Sequence, residues 1–336
     1  NRIGDAMRAW IDVDLRSFEL LELAHYWPVN IGASTRRWTT RNIHIGKVDE
    51  GKLALVLELP VEDPLSLKIR SISGTLEYSD LDISYLEALP KVTGVTGTAT
   101  FSDDRFDLDI SRGNLQDIAL EHGVVHITEL DTDKGQVAID LVVRGPLATA
   151  LELVNQKPLG LGGEVVINPA TVSGDMAVKL GLQFPLREDV QLSDVRVSAA
   201  ANMRGVGMKL GPSSFVVANS DLELKLSNTT MKIIGQVELN GVSLSLDWHE
   251  NFVSGQGFRR RYILSGALEV DDLERLSLPK LPFIGGVSEI DLILTRFGNG
   301  RSEVLVSGDL NEAVISIPYI GWLKPAGRPG NFRMGV

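Results

Sequence analysis

Apolar and polar residues alternate with a period of two through most of the chain from Asn42 onward. Successive side chains of a β-strand point to opposite faces of a sheet, so this alternation predicts strands with one apolar and one polar face. In the segment Arg105 to Ser111, for example, Phe106 and Leu108 stand between charged side chains. The apolar positions of the clearest runs are Leu53, Leu55, Leu57, Phe106, Leu108, Ile110, Val137, Ile139, Leu141, Leu222, Leu224, Leu226, Leu244 and Leu246.

Turn-forming residues separate the alternating runs at short intervals. Asn240-Gly241 is the strongest hairpin signal, because a type I′ turn needs positive φ at both central positions. Short strands joined by tight turns indicate antiparallel meanders, and the chain has too few helical segments to supply the crossovers of a parallel α/β sheet. One internal helix is predicted near residues 146–156, where Pro146 suits the first helical turn.

The first 45 residues follow a different pattern, in which apolar residues such as Met7, Trp10 and Ile11 recur at helical spacing. This spacing predicts a short helical lead-in before the sheet. Its three helices are predicted over residues 3–16, over residues 17–27 with Ser17 as N-cap and Pro28 after the end, and over residues 34–41.

The balance of charge excludes an ordinary nucleic-acid-binding protein. The chain has 33 basic and 44 acidic residues, a net charge of −11, and no basic cluster large enough to neutralise a phosphate backbone. The short run Arg259-Arg260-Arg261 is expected to be a solvated strand edge. Because the chain has no cysteine, it can form neither disulfides nor thiolate metal sites.

No group of residues predicts an active site, a cofactor or a metal. His122 and His126 could share a metal on a helix, but strand geometry would separate them by about 13 Å. The many carboxylates alternate with apolar residues, as Asp107 and Asp109 do, and this is typical of a solvated strand face. The nucleophile-elbow, zinc-protease and phosphate-loop motifs are absent from the sequence. We therefore expect a protein that is not an enzyme.

The alternation leaves one question open. An apolar strand face can form a sealed core or the floor of an open groove, and both bury the same side chains. Periodicity does not distinguish the two.

Several short motifs occur in a fixed order along the chain. They are Tyr26-Trp27-Pro28, Arg36-Arg37-Trp38, Asn42-Ile43, Gly46-Lys47-Val48, elements of the stretch 74–101, Asp309 to Ala313, Gly321 to Lys324 and Gly327 to Gly330. Each motif is short, but together they span most of the chain. In order and spacing they resemble the AsmA-like family of bacterial envelope proteins, in its YhdP/TamB branch.

The resemblance implies a large periplasmic protein, anchored in the inner membrane by an N-terminal helix, whose long curled β-sheets enclose a hydrophobic groove. Proteins of this kind are implicated in moving phospholipid towards the outer membrane. The chain starts at Asn1 and has no apolar run of the roughly 18–20 residues that a membrane-spanning helix needs. We therefore expect an excised piece whose inner-membrane anchor lies outside it.

The expected fold is mainly β: an elongated, curled, groove-like antiparallel sheet with a helical lead-in and one internal helix. The expected parts are a lead-in over residues 1–45, a first β-groove unit over 46–213 and a second over 214–336 that continues beyond the segment. The fourteen apolar positions above are the candidates for lining the groove. The expected partners are phospholipid acyl chains, the inner membrane and other envelope proteins. An alternative is a structural or interaction module that assists or regulates outer-membrane assembly, with sheet edges that pair with partner strands.

Overall fold

The chain forms two compact units, each built mainly from one antiparallel β-meander. The first consists chiefly of Asn1–Gly145 and Lys179–Val197, and the second chiefly of Pro146–Glu152 and Ser198–Val336. The assignment of domains to 46–213 and 214–336 stays a prediction. The structure is a computed structural model that describes residues 2–3, 6–22, 25, 33–60, 67–84, 89–130, 132, 134–156, 167–187, 190–210, 215–253, 255, 257–277 and 282–335.

In the first unit, each strand from β2 to β7 pairs antiparallel with the strand that follows it in sequence, and β1 pairs with β2. The predicted antiparallel meander is therefore confirmed here. The strands are β1 (Arg2–Ile3), β2 (Ala6–Glu19), β3 (Ile43–Pro60), β4 (Lys68–Ile83), β5 (Val92–Phe101), β6 (Arg105–Leu115), β7 (Ile118–Thr128) and β8 (Gln136–Pro146). The next strand, β9 (Ser173–Pro185), contributes residues to both units.

The second unit repeats this arrangement from β10 to β16, and β19 then pairs with β16. A short hairpin of β17 and β18 pairs with the beginning of β15. The strands are β10 (Arg196–Lys209), β11 (Val216–Ser227), β12 (Thr230–Leu239), β13 (Val242–Asn251), β14 (Arg260–Glu269), β15 (Ile284–Arg296), β16 (Ser302–Asp309), β17 (Ala313–Ile317), β18 (Trp322–Lys324) and β19 (Asn331–Gly335).

Helices are short within the described residues, and two of them occupy predicted places. Helix α1 confirms the helix expected over 34–41, and α2 confirms the internal helix after Pro146. The helices are α1 (Ala33–Asn42), α2 (Leu147–Asn155) and α3 (Val270–Arg275), with 3₁₀ turns at Leu20–Glu22, Pro169–Thr171, Leu192–Asp194 and Pro318–Ile320.

The helix predicted over residues 3–16 is wrong, because Ala6–Glu19 forms the strand β2. Its pairing with β3 runs without a break from Ala6 to Arg16, and this ladder satisfies the backbone in an extended conformation. Ser17 is a residue of β2 with a φ of 52° and caps no helix. The helix predicted over residues 17–27 is wrong over its first part, because residues 17–19 belong to β2 and Leu20–Glu22 forms a 3₁₀ turn. Residues 23–24 lie outside the described residues, as do the motif Tyr26-Trp27-Pro28 and residues 85–88.

The hairpin predicted at Asn240-Gly241 is confirmed. These residues join β12 to β13 with φ values of 49° and 79°, and Leu239 pairs with Val242 across the turn. Positive φ at both central positions is the requirement of the type I′ turn, whose twist matches that of the flanking strands. Local turn chemistry thus sets the register of this pair.

A cluster of buried side chains on one face of β4 to β7 forms the core of the first unit. Partly buried residues pack against it, among them Phe106, Leu108 and Leu141. Part of the predicted groove lining therefore contributes to this core. The buried members are Tyr78, Leu81, Val95, Ala99, Ile110 and Leu120.

Gly97 lies within this core at a point where two strands approach closely. A Cβ built on it would lie 2.0 Å from the carbonyl oxygen of Asp109 and 2.8 Å from the hydroxyl of Tyr78. We expect Gly97→Ala to lower the free energy of unfolding by about 1–3 kcal/mol, because a backbone oxygen cannot move aside without distorting the β5–β6 pair. Urea denaturation measures this. The control is Gly298→Ala, at a position with nothing within 4 Å of the added Cβ; equal stability of the two variants would contradict the argument.

Candidate functional site

The nine candidate positions of the first unit lie on one face of its sheet. We call them the first apolar face: Leu53, Leu55, Leu57, Phe106, Leu108, Ile110, Val137, Ile139 and Leu141. Residues paired directly across antiparallel strands point to the same side, so the strand registers establish which positions share a face. On β6 to β8 the face consists of three rows, which are Phe106, Ile127 and Val137; Leu108, Val125 and Ile139; and Ile110, Gly123 and Leu141.

Strand β3 joins the same face through Leu53. This residue pairs with Gly74, which pairs with Phe101, which in turn pairs with Phe106. The rings of Phe101 and Phe106 stack with their centroids 5.9 Å apart, and the Phe101 ring covers the space above Gly74. Leu55 and Leu57 follow Leu53 at alternate positions of β3, so they point to the same side.

The five candidate positions of the second unit also share one face, which we call the second apolar face: Leu222, Leu224, Leu226, Leu244 and Leu246. The pairing of neighbouring strands extends this face across the sheet with further apolar residues that sequence reasoning had not selected. The rows are Met203, Leu222, Gly235, Leu246, Leu264 and Leu292; Ala201, Leu224, Ile233, Trp248, Tyr262 and Leu294; and Val237 with Leu244.

Most of the fourteen candidates are half-buried. Only Ile110, Val137, Leu222 and Leu244 are buried. The first apolar face is more exposed to solvent near β2, because Ile11 of that strand, which pairs with Leu55, is 39% exposed. Half-buried side chains keep part of their surface in contact with solvent, whereas those of a sealed core do not.

A family model described as "YhdP protein" matches the chain over residues 8–334. The chain belongs to the YhdP family. This family is part of the AsmA-like group in its YhdP/TamB branch, so the resemblance found in the sequence is confirmed. Membership of the YhdP family indicates a role in the bacterial envelope. No curated protein and no solved structure matches the chain.

In the first unit of this YhdP-family chain, the face of the sheet opposite the first apolar face is polar and rich in ion pairs. Asp107 accepts hydrogen bonds from Arg105 and, at 2.5 Å, from Nδ1 of His126 on the neighbouring strand. The bond from Arg105 holds the pKa of Asp107 below its ordinary value, and His126 acts in the same direction. His122 lies 4.0 Å from Asp109. Both histidines thus lie on strand β7, as predicted, beside carboxylates of β6.

A depression of about 610 Å³ lies on the sheet of the second unit, among β10 to β14. Its exposed lining side chains include Arg204, Asp221, Glu223 and Ile234, which point away from the second apolar face. The lining also includes Leu222 and Leu246 of that face, so the depression overlaps it only in part. Mixed charge and solvent exposure make it a weaker candidate for an apolar ligand than the rows of leucines.

The expectation that Arg259-Arg260-Arg261 is a solvated edge is wrong for Arg260. Its side chain is buried on the side of the second apolar face, where its Nη2 donates to Oε1 of Glu250 at 2.5 Å. The two residues are directly paired between β13 and β14. A buried guanidinium needs such a partner. The sequence does not reveal this pair, because Glu250 and Arg260 are ten residues apart and the turn between their strands is not specified by the sequence pattern.

The described residues contain no group of three or more His, Cys, Asp or Glu side chains that could hold a metal ion. Nor does any described helix have the length and apolar character needed to cross a bilayer.

Proposed function

We propose that the two apolar faces hold the acyl chains of phospholipids and that the protein moves these lipids between the inner and outer membranes without catalysing a reaction. The observation that carries this proposal is the placement of all fourteen candidates on two continuous faces, most of them half-buried. Membership of an envelope-protein family supports it.

The physical basis is the cost of exposing acyl chains to water. Burying one CH₂ group stabilises a chain by about 0.8 kcal/mol, so a two-tailed lipid does not cross an aqueous compartment unaided. Rows of Leu, Ile and Val replace the bilayer for the tails. Their weak, non-directional contacts have no preferred position along a tail, and this favours sliding.

The proposal places the chain in the periplasm, as part of a longer protein whose anchor holds it to the inner membrane. In this arrangement, phospholipid tails occupy the apolar faces while the charged face, with residues such as Asp107 and Asp109, meets water. Other envelope proteins are further proposed partners.

The test is site-specific photo-crosslinking in cells, followed by mass spectrometry of the purified protein. A photoreactive residue at Leu108 should form phospholipid adducts, whereas one at Asp109, adjacent in sequence but on the polar face, should form few. Equal yields at the two positions, or no adduct at either while a known lipid carrier is labelled, would overturn the proposal.

A second candidate function, an interaction module, is favoured by the tip of the β17–β18 hairpin. Tyr319 is 99% exposed and Ile320 is 72% exposed there. The base of the hairpin is held by Lys324, whose Nζ donates to the carbonyl oxygens of Leu310 at 2.6 Å and Ala313 at 2.9 Å. Photo-crosslinking from Tyr319 should then give a protein adduct that crosslinking from the exposed Asn299 does not, and lipid adducts alone would reject this candidate.

A further inference from the structure

A row of charged residues borders the second apolar face. Glu250 on β13 is the cross-strand neighbour of Arg260 on β14, and Arg260 is the cross-strand neighbour of Arg296 on β15. Glu250 and Arg260 are each 8% exposed, whereas Arg296 is exposed. Leu226 and Met231 continue this row on the apolar side. The sheet face thus changes from aliphatic to charged within one row.

An aromatic pair lies between this charged row and the leucines. Trp248 and Tyr262 are cross-strand neighbours in the adjacent row, with ring centroids 5.2 Å apart. The indole Nε1 of Trp248 is buried and has no hydrogen-bond partner among the described residues. Burial raises the pKa of the Tyr262 hydroxyl, while the nearby charges of Arg260 and Arg296 oppose the shift. The phenol therefore stays neutral beside two cations, and its oxygen accepts a hydrogen bond from Arg260.

The composition of the charged row favours the binding of an anion. Two guanidinium groups stand directly opposite each other, and like charges in that position destabilise a sheet. The row contains a single carboxylate, that of Glu250, so its three charged groups sum to +1. Arginine presents donors in a planar fork that matches phosphate oxygens, and Trp and Tyr prefer the boundary between apolar and wet surroundings.

We propose that Arg296, with Arg260 fixed beside it by Glu250, binds the phosphate of a phospholipid whose tails lie on the second apolar face. The order of the rows, charged, then aromatic, then aliphatic, follows the order of headgroup, glycerol region and tails in such a lipid. This inference rests on the proposed function and adds to it a defined orientation of the lipid.

The experiment measures binding of two lipids with identical tails, dioleoylphosphatidylglycerol and dioleoylglycerol, to the full 336-residue chain. The unmodified protein should bind the phospholipid at least tenfold more tightly, a difference equivalent to about 1.4 kcal/mol. Arg296→Gln should lose this preference and keep its affinity for dioleoylglycerol. Arg296→Lys, which keeps the charge without the fork, should fall between them.

The matched control is Arg333→Gln, because Arg333 is also exposed but pairs with Ser307 on the opposite face. It should bind both lipids as the unmodified protein does. If Arg296→Gln kept the full preference, the phosphate site would be wrong while the proposed function stood. If the unmodified protein bound neither lipid, the proposed function itself would fail.

Inorganic phosphate distinguishes a headgroup site from a free-anion site. Millimolar phosphate should leave binding of the phospholipid unchanged, because without tails it has no contact with the leucine rows. Displacement of the phospholipid at such concentrations would overturn the assignment to a lipid headgroup.

Discussion

The double variant Leu55→Asp/Leu224→Asp should purify as a folded protein that retains less than about a tenth of the phospholipid bound by the unmodified chain. Leu55 lies on the first apolar face and Leu224 on the second, and both are half-buried. A carboxylate at either position stays hydrated, so an acyl chain crossing it must displace that water at a cost of several kcal/mol. Mass spectrometry of extracted lipid measures the loss.

The matched control places the same two carboxylates on the polar faces, as Ala54→Asp/Ala200→Asp. Both alanines are exposed. Ala54 precedes Leu55 in β3, and Ala200 precedes Ala201, the cross-strand partner of Leu224, in β10. The control should retain lipid and unfold at the temperature of the unmodified protein. If Leu55→Asp/Leu224→Asp unfolds instead, its leucines form a sealed core; if it stays folded and retains its lipid, the apolar faces are not the binding surface.

Replacing Arg260 with leucine should lower the free energy of unfolding by about 3–5 kcal/mol, because the carboxylate of Glu250 is then buried without its partner. The double variant Glu250→Leu/Arg260→Leu should recover most of this loss, since two apolar residues of similar size suit the same place. Urea denaturation followed by tryptophan fluorescence measures both, and Trp248 lies in the neighbouring row. Equal losses in the single and double variants would show that packing of the arginine stem, and not the unpaired charge, is responsible.

The strands were predictable because each carries its pattern locally. The alternation around Leu108 is visible without any other part of the chain. The type I′ turn at Asn240-Gly241 is likewise specified by its own two residues, which tolerate positive φ. The segment over residues 6–19 was misassigned because it satisfies two periods at once. Met7 and Ile11 fit a helix, but Met7, Ile11 and Val13 also alternate, and only pairing with the distant strand β3 decides between them.

The candidate site was predictable as a set of residues and not as a surface. Period two indicates that Leu222 and Leu224 share a face, but the row that joins Leu224 to Tyr262 depends on registers across three strand pairs. The same dependence hid the burial of Arg260, because its partner is defined only once β13 and β14 are aligned. Charge order along a sequence does not reveal charge order across a sheet.

The nearest-neighbour pairing of β2 to β8, and again of β10 to β16, has a consequence for how such proteins diverge. Because each interior strand of these runs bonds to the strand before and after it, adding or deleting one hairpin within a run leaves the other pairings of that run in place. Neighbouring strands lie about 4.8 Å apart, so each inserted hairpin would extend an apolar face by about 10 Å. Relatives can therefore differ by whole hairpins in the extent of an apolar face, and selection can adjust that extent in fixed steps.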